Sequence, residues 1–183
     1  MAKLIVCLTG MLGSGKSTIV SALKARGLEA LNLGDGVRAE AKRRDMEPTG
    51  DNLGKLMLEL REKNGPGAIA VLLTEPIKNS QSKAIIIDGV RSTAEIEVLK
   101  NVGSVKLLSI EAAADTRYKF LSSRGRSDDP ATREKFEERD NREIGVGIGE
   151  SIAIADETIV NSDITLDELT ELAHKVIEKW IDN

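Results

Sequence analysis

The sequence predicts a doubly wound α/β fold, a parallel β-sheet with helices on both faces. Three observations carry this. Short runs rich in Ile, Leu and Val recur along the chain as Lys3–Thr9, Lys83–Asp88 and Val105–Ile110. Stretches with helical spacing lie between them, and strands separated by helices pair in parallel through right-handed crossovers. The runs are apolar nearly throughout rather than alternating, which is the pattern of strands covered on both faces.

In chain order, KLIVCLT at Lys3–Thr9 reads as the first buried strand, followed by a glycine-rich loop over Gly10–Gly15. From Lys16 the spacing of Ile19, Val20 and Leu23 predicts a helix, and Gly27 stops it. A short strand follows at Glu29–Leu33, then a charged helix at Asp35–Arg44. Leu53, Leu56, Met57 and Leu60 mark a helix over 53–63, broken by Asn64-Gly65-Pro66-Gly67. Residues 68–78 read as a helix whose end Pro76 disturbs. KAIIID ends a strand on Asp88, and Ser92 with Glu95 has the spacing of a helix-capping box. After the strand at 105–110 come helices over 112–121 and 131–143, joined by a polar loop at 124–130. A last strand at 157–161 and a helix capped by Thr165 and Glu168 complete the pattern, with no internal repeat.

Composition narrows the function. With 183 residues and 40% apolar side chains, the chain is long enough for a core of its own. Aromatics make up 2%, too few for the stacking platforms of single-strand nucleic-acid binders. The formal charge of −4 gives no overall field toward nucleic acid or anionic membrane. The single cysteine, Cys7, reads as a small buried apolar group, and a lone Cys and a lone His (His174) exclude His-dependent triads and multi-His metal sites. The N-terminal apolar run leads into a glycine loop rather than a cleavage site, so a soluble cytoplasmic protein is expected. Nothing in the pattern sets an oligomeric state.

Gly10-Met11-Leu12-Gly13-Ser14-Gly15-Lys16-Ser17, with Thr18 following, matches the phosphate-cradling pattern G-x-x-x-x-G-K-[ST]. Its glycines let backbone N–H groups curl inward around anionic oxygens, and the helix that follows adds its positive end. Lys16 is placed for the β- and γ-phosphates of ATP, and Ser17 for Mg²⁺. Asp88, at the tip of a buried strand, is the second candidate for the metal.

At these residues the chain resembles the adenylate-kinase-like nucleoside monophosphate kinases, and more closely an archaeal adenylate-kinase-related family; it is also similar to dephospho-coenzyme A kinases. The resemblance spans nearly the whole chain and implies a P-loop NTPase fold as one domain. It also implies a small helical acceptor-binding insert over residues 35–80 and a short lid over 122–143. Gly34-Asp35-Gly36-Val37-Arg38 is similar to the family's G-D-x-x-R, which implies that Arg38, with Asp35, meets the acceptor phosphate. Asp88-Gly89-Val90-Arg91 resembles a shortened D-G-F-P-R and implies the same for Arg91. Arg124-Gly125-Arg126-Ser127-Asp128-Asp129 resembles the R-G-R-x-D-D lid, whose arginines neutralise the phosphates in transit, and Arg139 or Arg142 stands for a further arginine on the next helix. Val160-Asn161 resembles the adenine-side turn. The Phe-Pro pair and the adenine-reading glutamine of the family are absent.

The implied activity is transfer of the γ-phosphoryl group of ATP to a nucleoside monophosphate, with AMP as the first acceptor considered. A hydroxyl-directed kinase of the dephospho-coenzyme A type, with Asp35 as general base, is the alternative enzyme. A nucleotide sensor or NTPase switch is the alternative of another class.

Overall fold

The computed structural model describes residues 3–126 and 129–182. Five parallel strands form one sheet: β1 (Leu4–Thr9), β2 (Glu29–Asn32), β3 (Ala84–Val90), β4 (Ser104–Glu111) and β5 (Glu157–Val160), in the order β2-β3-β1-β4-β5. β1 sits in the centre, with Leu4–Leu8 paired to Ala84–Asp88 on one side and Leu4–Thr9 paired to Ser104–Ser109 on the other. The chain leaves β1 between two strands whose connections run in opposite directions around the sheet. That switch point opens a crevice at the carboxyl ends of the strands.

The helices are α1 (Lys16–Ala25), α2 (Leu33–Arg43), α3 (Gly50–Asn64), α4 (Ala68–Asn79), α5 (Thr93–Lys100), α6 (Ala114–Arg124), α7 (Arg133–Val146), α8 (Ile148–Ala153) and α9 (Leu166–Ile181). Alternate residues of β1 enter opposite layers. Ile5 and Cys7 join Leu33, Leu56, Ile69 and Ile85 beneath α2–α5, whereas Val6 and Leu8 join Ile19, Ile86, Leu169 and Ile177 beneath α1 and α9. Each fully buried aliphatic side chain contributes roughly 1.5–3 kcal/mol, so the continuous apolar runs fix the sheet as the centre of both cores. Cys7 lies in this core, and burial pushes its thiol far above its usual range. No helix among the described residues is long and apolar enough to cross a membrane.

Several boundaries differ from the sequence reading, each for a local reason. The helix expected from Asp35 starts at Leu33, because the Asn32 side chain accepts from Gly34 N and caps it. Asp35 therefore stands in the first turn of α2 rather than at its start. Asp88 does not end β3, which continues to Val90 through a bulge where Gly89 takes φ +86°. α4 runs three residues past Pro76, so the proline costs only a hydrogen bond in the last turn. Ser92 caps α5 as expected, but the Glu95 carboxylate accepts from Arg91 N, one residue before the cap. The short helix α8 was not anticipated. α9 carries the complete capping box between Thr165 and Glu168.

Candidate active site

The loop from Gly10 to Gly15 is built for close backbone approach. Gly13 and Gly15 take φ +83° and +110°, and a Cβ on Gly15 would stand 2.8 Å from both Asn161 Nδ2 and Leu169 Cδ2. Two partly buried contacts brace the loop from behind. Asn161 Nδ2 donates to Ser14 O at 2.9 Å, and Arg117 Nη1 donates to Leu12 O at 3.1 Å. Asn161 thus holds the loop itself rather than only marking an adenine-side turn. Lys16 folds back across the cradle, donating to Gly10 O at 2.5 Å, Met11 O at 2.9 Å and Ser14 Oγ at 3.3 Å. Burial lowers its pKa to about 8; Asp88 pulls the value up and Arg91 pushes it further down.

Asp88 faces the loop across the crevice. Asn32 Nδ2 donates to its Oδ2 at 2.8 Å, while Oδ1 is buried without a hydrogen-bond partner among the described residues. Ser17 lines the same crevice from the first turn of α1. A buried carboxylate oxygen lacking a donor, close to a hydroxyl and a phosphate loop, is the donor set that suits a hard cation such as Mg²⁺. The sequence pointed to Asp88 but not to Asn32, whose place opposite it follows from the β2–β3 register.

Five of the arginines singled out in the sequence line this crevice: Arg38 from α2, Arg91 after β3, Arg124 at the end of α6, Arg126 just beyond it, and Arg139 from α7. Arg142, one turn along α7, lines an adjoining chamber between α2, α3 and α7 that shares Arg38, Arg91 and Arg139 with the crevice. Arg91 Nε pairs with Glu143 at 2.5 Å, and Arg91 Nη1 donates to Gly89 O at 3.1 Å. Burial opposes the Arg91 charge, but Glu143, Glu95 and Asp88 more than offset it and hold its pKa above the usual value. Burial likewise pushes Glu143 up, and Arg91 and Arg139 outweigh it, so this carboxyl stays below its usual range.

In the lid, Arg124 donates from Nε and Nη2, one edge of its guanidinium, to the two carboxylate oxygens of Asp129, and Asp129 Oδ2 also accepts from Arg126 N at 2.8 Å. Ser127 and Asp128 of the lid motif lie outside the described residues. Asp35 is exposed and accepts from Arg38 Nη1 at 2.7 Å.

Three features were missed in the sequence. Arg61, on the helix α3, is largely buried and pairs at 2.6 Å with Glu95, which is fully buried. Glu143 shares the crevice with the arginines. Arg117 is buried, pairs with Asp140 of α7 at 2.6 and 2.9 Å, and lies 4.9 Å from the Phe136 ring centroid. Through Arg117, the helix carrying Arg139 and Arg142 is tied to the phosphate loop. In a charged helical stretch no spacing distinguishes these residues from solvated ones.

An AAA domain family profile matches residues 9–137. A UPF0200 protein of Pyrococcus abyssi is 41% identical over 165 residues, covering 87% of this chain and 88% of its own length. A UPF0200 protein of Hyperthermus butylicus is 37% identical over 177 residues, covering 97% and 95%. Among solved structures, TT1252 from Thermus thermophilus superposes with a TM-score of 0.65 at 18% identity, over 97% of this chain and 98% of that one. Shikimate kinase from Acinetobacter baumannii superposes with a TM-score of 0.59 at 16% identity, over 98% and 94%. These two likenesses establish the P-loop kinase fold, and the sequence identities establish the kinship: the chain belongs to the UPF0200 family.

Proposed function

We propose that this chain transfers the γ-phosphoryl group of ATP to a phosphate-bearing small molecule. The observation that carries this reading is the convergence of Lys16, Asp88 and five arginines on one crevice at the mouth of the phosphate loop. A site for hydrolysis or sensing alone has no need of so many guanidinium groups from four separate segments. The whole chain acts as one kinase unit, with α2–α4 as the acceptor-binding insert and residues 122–143 as the lid.

In this reading the loop N–H groups and Lys16 hold the β- and γ-phosphates of ATP. Ser17 and Asp88 would hold Mg²⁺, which when bound offsets phosphate charge. Arg38 and Arg91 hold the acceptor phosphate, and their planar donor forks suit it. Arg124, Arg126 and Arg139 face the phosphoryl group in transit. An acceptor oxygen forms the new bond to the γ-phosphorus, and the bond to the β–γ bridging oxygen breaks, its electron pair leaving with ADP. A phosphate acceptor is already ionised, so positioning and charge neutralisation suffice and no strong base is required. The exposure of Asp35 and its pairing with Arg38 support an orienting role over a basic one.

Asp88 and Glu143, as carboxylates within the crevice, and the shikimate kinases among the structural neighbours favour a second reading in which the acceptor is a hydroxyl. The test is a panel of phosphate and hydroxyl acceptors with ATP and Mg²⁺, read by direct product identification. AMP is the reference compound because the sequence resemblance names it first. ADP and inorganic phosphate as sole products with every acceptor would overturn the transfer reading.

A further inference from the structure

The acceptor chamber is built differently from a nucleoside pocket. Its far wall is apolar, formed by Val37, Leu53 and Met57, and its remaining side chains are four guanidinium groups and Glu143. Among the described lining residues there is no side-chain hydroxyl, amide or aromatic ring. Glu143, the single acceptor side chain among them, is ion-paired with Arg91. A nucleobase buried here would find for its amino and ring N–H groups at most this one carboxylate, itself ion-paired, and groups left unpaired carry a substantial penalty.

The arginines also fall into two positions. Arg38, Arg91 and Arg139 line both the crevice and the chamber, so they stand where donor and acceptor meet. Arg142 lines the chamber and a groove leading out past Thr49 and Gly50, but not the crevice. Its Nε is buried without a hydrogen-bond partner among the described residues. The guanidinium is seated on Gly54 of α3: a Cβ there would come within 2.5 Å of Nη1 and 2.6 Å of Cζ. Glycine at 54 thus makes room for a cation at the distal end of the chamber, one turn of α7 beyond Arg139.

From this geometry we infer that the chamber holds a second anion position, formed by Arg142 on its Gly54 seat. The acceptor is accordingly a small non-nucleotide with two separated anionic groups on a short apolar frame. The phosphate that receives the phosphoryl group sits at Arg38 and Arg91, and a carboxylate or second phosphate reaches Arg142. This inference rests on the phosphate-acceptor reading above and narrows it.

Two matched probes test it: glycerol 3-phosphate, with one anionic group, and 3-phosphoglycerate, which adds a carboxylate at the other end. Their dissociation constants, with AMP alongside, are measured by calorimetry on the full chain in the presence of a non-hydrolysable ATP analogue and Mg²⁺. The expected result is that 3-phosphoglycerate binds about ten- to hundred-fold tighter than glycerol 3-phosphate, the factor one charged hydrogen-bonded contact supplies. In Arg142→Gln that ratio falls to near one. Gly54→Ala, which unseats the guanidinium without removing its charge, lowers the ratio as well; thermal unfolding verifies that both variants fold. Equal affinities in the parent chain, a ratio that survives Arg142→Gln, or AMP binding tighter than 3-phosphoglycerate would overturn the second anion position alone. Binding of the ATP analogue with no binding of any phosphate-bearing probe would overturn the phosphate-acceptor reading, and this inference with it.

Discussion

Lys16 offers the sharpest test of how the phosphate loop works. In the cradle its ammonium is partly buried against the loop carbonyls, and this burial brings its pKa down to about 8. Bound phosphates supply the missing counter-charge, so ATP binds the protonated form and raises the value again. At pH 7 Lys16 is charged and ready. At pH 9 about nine-tenths of the free protein carries a neutral amine, and binding must first recharge it, which weakens affinity about ten-fold, or roughly 1.4 kcal/mol. A parallel titration of the analogue with Mg²⁺ alone corrects for the ionisation of its terminal phosphate. Calorimetric titration with a non-hydrolysable ATP analogue at pH 7, 8 and 9, in buffers of differing ionisation enthalpy, reads both affinity and proton uptake. Uptake should approach about one proton per site at pH 9. Lys16→Met should bind weakly at every pH without this slope. The same shift acts on folding. The folded value lies below the unfolded 10.5, so the unfolded chain holds more protons between about 8 and 10.5. Stability of the ligand-free protein relative to Lys16→Met should therefore rise across that window and be flat below it. Affinity that is constant from pH 7 to 9 with no proton uptake would refute a desolvated Lys16.

Arg117→Ala should destabilise the protein by about 3–5 kcal/mol in urea unfolding, because it strands a mostly buried Asp140 and releases Leu12 O; a change below 1 kcal/mol would mean that α7 is not anchored through this pair. Arg126→Ala should lower kcat more than it raises KM for ATP, since its charge is needed most as the phosphoryl group moves; a rise in KM alone would make it a ground-state contact. Loss of either Arg38 or Arg91 should weaken acceptor binding by roughly 1.5–3 kcal/mol in calorimetry. Asp35→Asn should leave the chemical step nearly intact in single-turnover assays, whereas a loss of about 10²–10⁴ in rate would identify a general base and a hydroxyl acceptor.

The sheet, the phosphate loop and the order of the candidate motifs are legible along the chain. Those features are local: an apolar run must be buried, G-x-x-x-x-G-K-S dictates a particular backbone curl, and Thr165 with Glu168 caps a helix wherever it lies. Their consequences needed only short-range physics, and the resemblance to P-loop kinases singled out arginines of which five line one crevice. What the tertiary structure decided is which charges face one another. Asn32 meets Asp88 because β2 and β3 pair in one register, a contact between residues 56 positions apart. Arg61 is drawn inside by Glu95, and Arg117 by Asp140 and Leu12 O, although each looks like a solvated helix charge in isolation. Glu143 reads as one more acid in a charged helix until folding sets it against Arg91. Periodicity reports whether a side chain is apolar; it does not report which partner will compensate a buried charge, because that depends on the packing of α3, α5, α6 and α7 around the ends of the strands.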